Sequence, residues 1–170
     1  MTDRPRIGVS ACLLGERVRY DGRDKRDAWL VDVLGPRVEW VPVCPEVEAG
    51  LGTPRPAMNL GRDATGRNML IIDGVRDDLT ETMTDYSGRR VGELASAGLD
   101  GYVLKAGSPS CGLDVPLDSQ RERGMGLFAT ALTSRLGGLP VTDEHELADP
   151  EARESFVDRV FAHYRRRTSG

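Results

Sequence analysis

The 170-residue sequence predicts an α/β fold, with a mostly parallel sheet between helical layers. Short apolar, β-branched runs alternate along the chain with longer segments of helical periodicity, the order that favours parallel pairing. Most of the 20 glycines fall between these runs, where the chain must turn. No internal repeat, low-complexity tract or linker interrupts the alternation, so residues 1–170 are expected to form one domain.

Taken in order, residues 6–10 read as a first strand that runs into Cys12 and then a polar turn at Tyr20-Asp21-Gly22. Asp24 is a candidate N-cap for a helix reaching Leu34, stopped by Gly35 and Pro36. Residues 38–43 form a second strand ending in Cys44-Pro45-Glu46. Thr53-Pro54-Arg55-Pro56 excludes regular helix, and residues 57–60 and 68–72 flank a turn region as a hairpin or irregular excursion. Asp78 and Glu81 have the spacing of a capping box for a helix to about Ala97, with Gly98 closing it and Leu79, Met83, Tyr86 and Leu94 on its apolar face. Residues 101–105 form a third strand that leads into a serine- and glycine-rich loop around Cys111. A helix over 126–136, a short strand over 139–142 and a final helix capped by Asp149 complete the chain. In that last helix Val157, Val160, Phe161 and Tyr164 space as an apolar stripe.

Composition narrows the function classes. The net charge of −4 gives no general attraction to nucleic acid or anionic membrane. No run of about 18 apolar residues exists and no apolar signal core opens the sequence, so a cytoplasmic location is expected. The basic run Arg165-Arg166-Arg167 reads as a solvated helix end, and His145 and His163 as surface or helix-face residues.

The cysteines are the informative residues. Cys12, Cys44 and Cys111 are the only three, an odd number that argues against a disulfide framework. They form no CxxC pair, and on spacing alone they would be inert buried thiols. Each, however, follows the carboxyl end of a predicted strand, the edge where open α/β sheets bind ligands. Three thiolates converging there suit zinc or an iron–sulfur cluster. A 4Fe–4S cluster ordinarily takes four cysteines, so three would leave one iron without a protein ligand. Such an iron is a soft Lewis acid that favours sulfur donors, which points to catalysis more than to electron transfer.

Neighbouring residues offer matching chemistry. Glu46 is placed to act as general base or acid beside the cysteines. Ser108 and Ser110 offer hydroxyls to a substrate, a sulfide or the local backbone, and Lys105 can neutralise an anionic site. Gly107 and Gly112 allow close backbone approach or simple turns. Arg19, Tyr20 and Asp21 lie in a polar loop able to line the pocket. Two non-enzymatic readings stay open on the residues alone: a metal-binding or redox-sensing protein on iron–sulfur or zinc, and a sulfur-transfer protein.

Three blocks resemble the TudS-type thiouracil desulfidases, long catalogued as a domain of unknown function. They are Ser10-Ala11-Cys12-Leu13-Leu14-Gly15 continuing to Val18-Arg19-Tyr20-Asp21-Gly22; Cys44-Pro45-Glu46-Val47 with Gly50-Leu51-Gly52 and Pro54-Arg55-Pro56; and Lys105 with Ser108-Pro109-Ser110-Cys111-Gly112. Gly124, Gly126, Phe128 and Ala129 also fit, and the likeness runs from about Ile7 to Thr142. The resemblance implies a Rossmann-like three-layer sandwich and a 4Fe–4S cluster on Cys12, Cys44 and Cys111, with one iron unligated by protein. It implies non-redox removal of sulfur from a thiolated uracil, giving the oxo base and sulfide. In that picture Glu46 activates water and Ser108 assists binding or proton transfer; Ser110, Lys105, Tyr20 and Arg19 are substrate-binding candidates from their place beside the cysteines. Some longer relatives carry another domain and are linked to thiolated transfer RNA. This chain, short and without a basic surplus, is expected to act on a free base or small thiolated nucleoside, as a monomer or small homo-oligomer.

Overall fold

The computed structural model describes residues 3–72, 78–117 and 122–170. Its strands are β1 (Arg6–Ser10), β2 (Glu39–Val43), β3 (Met58–Arg62), β4 (Asn68–Ile72), β5 (Gly101–Leu104), β6 (Val115–Pro116), β7 (Arg123–Gly124) and β8 (Val141–Asp143). Its α-helices are α1 (Pro45–Glu48), α2 (Thr80–Ala95), α3 (Leu127–Arg135) and α4 (Pro150–Thr168). Four strands form the central sheet in the order β2-β1-β5-β8, and all three pairings are parallel. The expected α/β class and strand positions are therefore observed.

Side-chain alternation along the strands separates two apolar layers. Tyr102 and Leu104 of β5 face a cluster with Met83, Tyr86, Val91 and Leu94 of α2 and Phe128 and Leu132 of α3. Val103, with Ile7 and Val9 of β1, faces the opposite cluster, which contains Leu30, Leu34, and Phe156 and Val160 of α4. Helical segments thus cover both faces of the sheet. Gly8 sits where the Tyr102 ring crosses β1; an added Cβ would lie 2.2 Å from Tyr102 Cε2. Only glycine leaves room for that ring.

The connections diverge around β1 and β5. The chain leaving β1 packs into the Leu30 and Leu34 cluster, whereas the chain leaving β5 reaches α3 on the other face. Adjacent parallel strands whose connections part in this way open a crevice at their carboxyl ends. Cys12 and Cys111 follow these two strands.

Several local expectations are corrected. The first helical segment is confined to a π-helical turn over Trp29–Leu34. Residues before it are drawn out because Lys25 N–H donates to Cys12 O at 2.9 Å and Asp27 N–H to Leu13 O at 2.9 Å. Asp24 caps only its own turn, accepting from Arg26 N–H, while Asp27 Oδ1 accepts from Leu30 N–H. The anticipated capping box is replaced by Asp78 Oδ1 accepting from Thr80 N–H at 2.9 Å. The α4 stripe is centred on Phe156 and Val160, with Val157 and Phe161 at its margin. The hairpin over 57–72 forms as β3 and β4, and the smaller β6–β7 pair was not anticipated. Asp149 does cap α4, accepting from Glu151 N–H. Among the described residues no helix is long and apolar enough to cross a membrane.

Candidate active site

A cavity of about 430 Å³ opens at the carboxyl edge of β1, β2 and β5. Cys12, Cys44 and Cys111 line it together, although 32 and 67 residues separate them along the chain. Glu46, Ser108, Ser110, Lys105, Gly107, Tyr20 and Arg19 line the same cavity, whereas Asp21 and Gly112, also singled out above, do not.

Each cysteine is fixed by its own backbone. Cys12 lies in a 3₁₀ turn, Ala11–Leu14, ended by Gly15 in the left-handed region at φ 98°. Cys44 caps α1, and its N–H donates to Glu48 Oε2 at 3.1 Å. Glu48 is held in turn by the Tyr86 hydroxyl, which donates to Oε1 at 3.0 Å and so ties α2 to the Cys44 turn. Cys111 sits in a loop anchored on α3, because Phe128 and Ala129 N–H both donate to Ser110 O, at 3.0 and 3.1 Å. Gly126 makes this possible: a Cβ there would lie 2.4 Å from Ser110 O. Gly112 is likewise required by packing, against Val115 and Ser108.

The thiols are unpaired by any disulfide. Burial pushes the Cys12 thiol up to about 11, more than Lys105 pulls it down. Burial also raises Cys44 and, most strongly, Cys111, and Cys12 and Cys44 both add to the rise at Cys111. Two buried sulfurs and one half-buried one, with Cys44 opposing ionisation of both Cys12 and Cys111, suit a thiophilic cationic group that would stabilise them as thiolates. Among the described residues no three His, Cys, Asp or Glu side chains converge closely enough to hold a single metal ion. Three cysteines facing one cavity supply the thiolate donors that an iron–sulfur cluster takes.

The polar groups divide by orientation. Glu46 Oε2 accepts from Arg55, and Glu46 Oε1 from the Ser110 hydroxyl at 3.0 Å. Ser110 is fully buried, so its hydroxyl is spent on Glu46 rather than offered to a substrate. Ser108 Oγ accepts from Ser110 N–H at 3.2 Å and Cys111 N–H at 3.1 Å, which leaves its own proton free to donate. Lys105 Nζ lies 2.7 Å from Glu144, which also accepts from Ala106 N–H at 2.8 Å. Glu144 therefore offsets part of the lysine charge, and the lysine still favours ionisation of Cys12. Tyr20 is exposed at the rim, with the Arg19 guanidinium 5.8 Å from its ring centre.

Sequence reasoning passed over Arg55, Glu144 and Lys25. Arg55 lies between two prolines, where a charge in a rigid segment is a usable signal. Glu144 immediately follows β8, so the carboxyl-edge argument used for the cysteines could have found it. Lys25 lines the cavity, although the sequence around it predicts helix. Both histidines lie outside the cavity: His145 is exposed and His163 pairs with Asp100 at 3.0 Å.

Over residues 7–144 the chain matches the model of a family described as 2-thiouracil desulfurase. It is also similar to a solved structure described as the 4Fe–4S-dependent thiouracil desulfidase TudS. Identity to that structure is 32% and the TM-score is 0.70, with 91% of this chain and 99% of that chain covered. No curated protein sequence matches it significantly.

Proposed function

This chain belongs to the 2-thiouracil desulfurase family, and on that premise we propose how its residues carry out an iron–sulfur-dependent removal of sulfur from thiouracil or a related small thiolated base. Water supplies the oxygen that replaces sulfur, so the thiocarbonyl compound and water give the oxo base and hydrogen sulfide with no net electron transfer. Cys12, Cys44 and Cys111 hold the cofactor. When bound, a 4Fe–4S cluster with one iron free of protein ligands supplies a soft Lewis acid for the substrate sulfur.

The chain's own groups do the remaining work. Glu46 accepts a proton from the attacking water. Ser108, its oxygen already bonded to two backbone N–H groups, donates its hydroxyl proton toward the substrate. Ser110 acts through Glu46. Tyr20 and Arg19 present an aromatic face and a cation to a planar pyrimidine at the rim. Lys105, fixed by Glu144, offsets thiolate charge near Cys12. We read residues 1–170 as one desulfidase-like domain that works on a small substrate in the cytoplasm, without engaging a nucleic acid polymer.

The supporting observation is the convergence of the only three cysteines and Glu46 on one cavity. The test is turnover: chain reconstituted anaerobically with iron and sulfide is incubated with 2-thiouracil, and uracil and sulfide are quantified. Equal amounts of both are expected, and Glu46→Gln should form them about 10²- to 10⁴-fold more slowly. An iron-loaded chain that leaves thiouracil intact contradicts the proposal.

A further inference from the structure

Arg55 is the most enclosed cation in the cavity wall for which an ion pair is seen, its side chain only 5% exposed. Its Nε and Nη2 both donate to one oxygen, Glu46 Oε2, at 2.9 and 2.5 Å. Its Nη1 donates to Gly52 O at 2.7 Å and Thr53 Oγ1 at 3.2 Å. Its backbone N–H donates to Tyr20 O at 2.8 Å, which ties the exposed rim to the same residue. Buried ion pairs contribute little net stability, because desolvation offsets their attraction. A guanidinium enclosed this fully and bonded through all three of its nitrogens therefore signals a geometric demand.

The demand follows from counting acceptor sites. An ionised carboxylate has about four lone-pair positions. Arg55 occupies two on Oε2 and Ser110 one on Oε1. One acceptor position is left, on Oε1. We infer that Arg55 is a positioning residue: together with Ser110 it holds the Glu46 carboxylate in one orientation and leaves Oε1 as the oxygen that takes the proton from water. This rests on the desulfidase reading above and assigns within it which oxygen reacts and what aims it.

The test compares wild type, Arg55→Ala and Arg55→Lys as full chains reconstituted anaerobically, reading iron content, melting temperature of the cluster-free chain, and kcat and KM for 2-thiouracil. For Arg55→Ala, kcat should fall by about 10- to 100-fold, the cost of a misaligned catalytic group. Iron content and KM should stay near wild type. Arg55→Lys, or methylguanidine added to Arg55→Ala, should restore part of the lost kcat, which a merely structural role would not allow. An unchanged kcat, a loss that tracks iron content, or failure of both rescues overturns the inference. If the iron-loaded wild type leaves thiouracil intact, the desulfidase reading fails by itself. The clamp is then read from thermal unfolding of the cluster-free chain, where Arg55→Ala and Glu46→Gln should be non-additive. Additivity there overturns it.

Discussion

Arg167, in the last turn of α4, meets Asp100 as a two-point ion pair, Nε to Oδ1 at 2.9 Å and Nη2 to Oδ2 at 2.8 Å. Asp100 directly precedes β5, is completely buried, and also accepts from Arg6 N–H at 3.0 Å while pairing with His163 Nδ1. The final helix is thereby pinned to the amino edge of the sheet, the end away from the cavity. Arg167 is therefore an anchor, contrary to the solvated helix end expected of the basic run.

That anchor has a pH signature. Burial alone would raise the Asp100 carboxyl, but the bonds from Arg167, Arg6 N–H and His163 together outweigh it and leave the group below the usual carboxylate range. A depressed carboxyl contributes stability fully above its unfolded value of about 3.9 and loses it as pH falls through the folded value. Asp100→Asn should thus lower stability at neutral pH by about 1.5–3 kcal/mol, the worth of hydrogen bonds to a charged group. The gap to wild type should close in acid. Thermal melts from pH 7 down to about pH 3 check both statements.

Gly126→Ala changes no candidate ligand, yet it should impair cofactor retention. The new Cβ would press on Ser110 O at 2.4 Å and displace the loop that carries Cys111. Overpacking of this kind costs about 1–3 kcal/mol. Iron content after reconstitution should fall well below wild type, with a lower melting temperature of the cluster-free chain. Iron content equal to wild type would show that the loop adapts.

Glu46→Gln should separate binding from chemistry. The amide keeps the size of the side chain and can still accept from Arg55 or Ser110, so iron content should be unchanged. Turnover should fall by about 10²- to 10⁴-fold, the usual contribution of a general base. Steady-state kinetics with parallel iron analysis distinguish this from loss of the cluster.

Tyr20→Ala should act at the rim. Tyr20 is 42% exposed and carries no burden in the apolar clusters. Stacking of a base on an aromatic ring is worth about 1–3 kcal/mol, so KM for 2-thiouracil should rise roughly 5- to 100-fold while kcat and iron content hold. A KM that does not move removes Tyr20 from the substrate site.

The sequence carried the sheet and the cysteine arrangement well, for physical reasons. Runs such as residues 6–10 and 101–104 are short, apolar and bounded by turn residues, so their strand character depends little on the rest of the chain. The carboxyl-edge rule then placed Cys12, Cys44 and Cys111 together without knowledge of their distances. What stayed hidden depends on tertiary partners. Residues 24–28 contain acceptable helix formers, but the Lys25 and Asp27 N–H groups bond back to the Cys12 turn. The division of labour between Ser108 and Ser110 rests on which hydroxyl turns inward, and spacing in the sequence does not encode it. Arg167 and Asp100 are 67 residues apart, and nothing local in either marks the pair.

The most direct measurement is the Mössbauer spectrum of the chain reconstituted anaerobically with ⁵⁷Fe and sulfide, recorded before and after 2-thiouracil is added. The account predicts about four irons per chain in a three-to-one pattern, three held by cysteine and one not. The unique component alone should shift with substrate. Four equivalent irons, or a chain that retains no iron under strict anaerobiosis, would contradict a cluster held by Cys12, Cys44 and Cys111 with one iron open to the thiolated base.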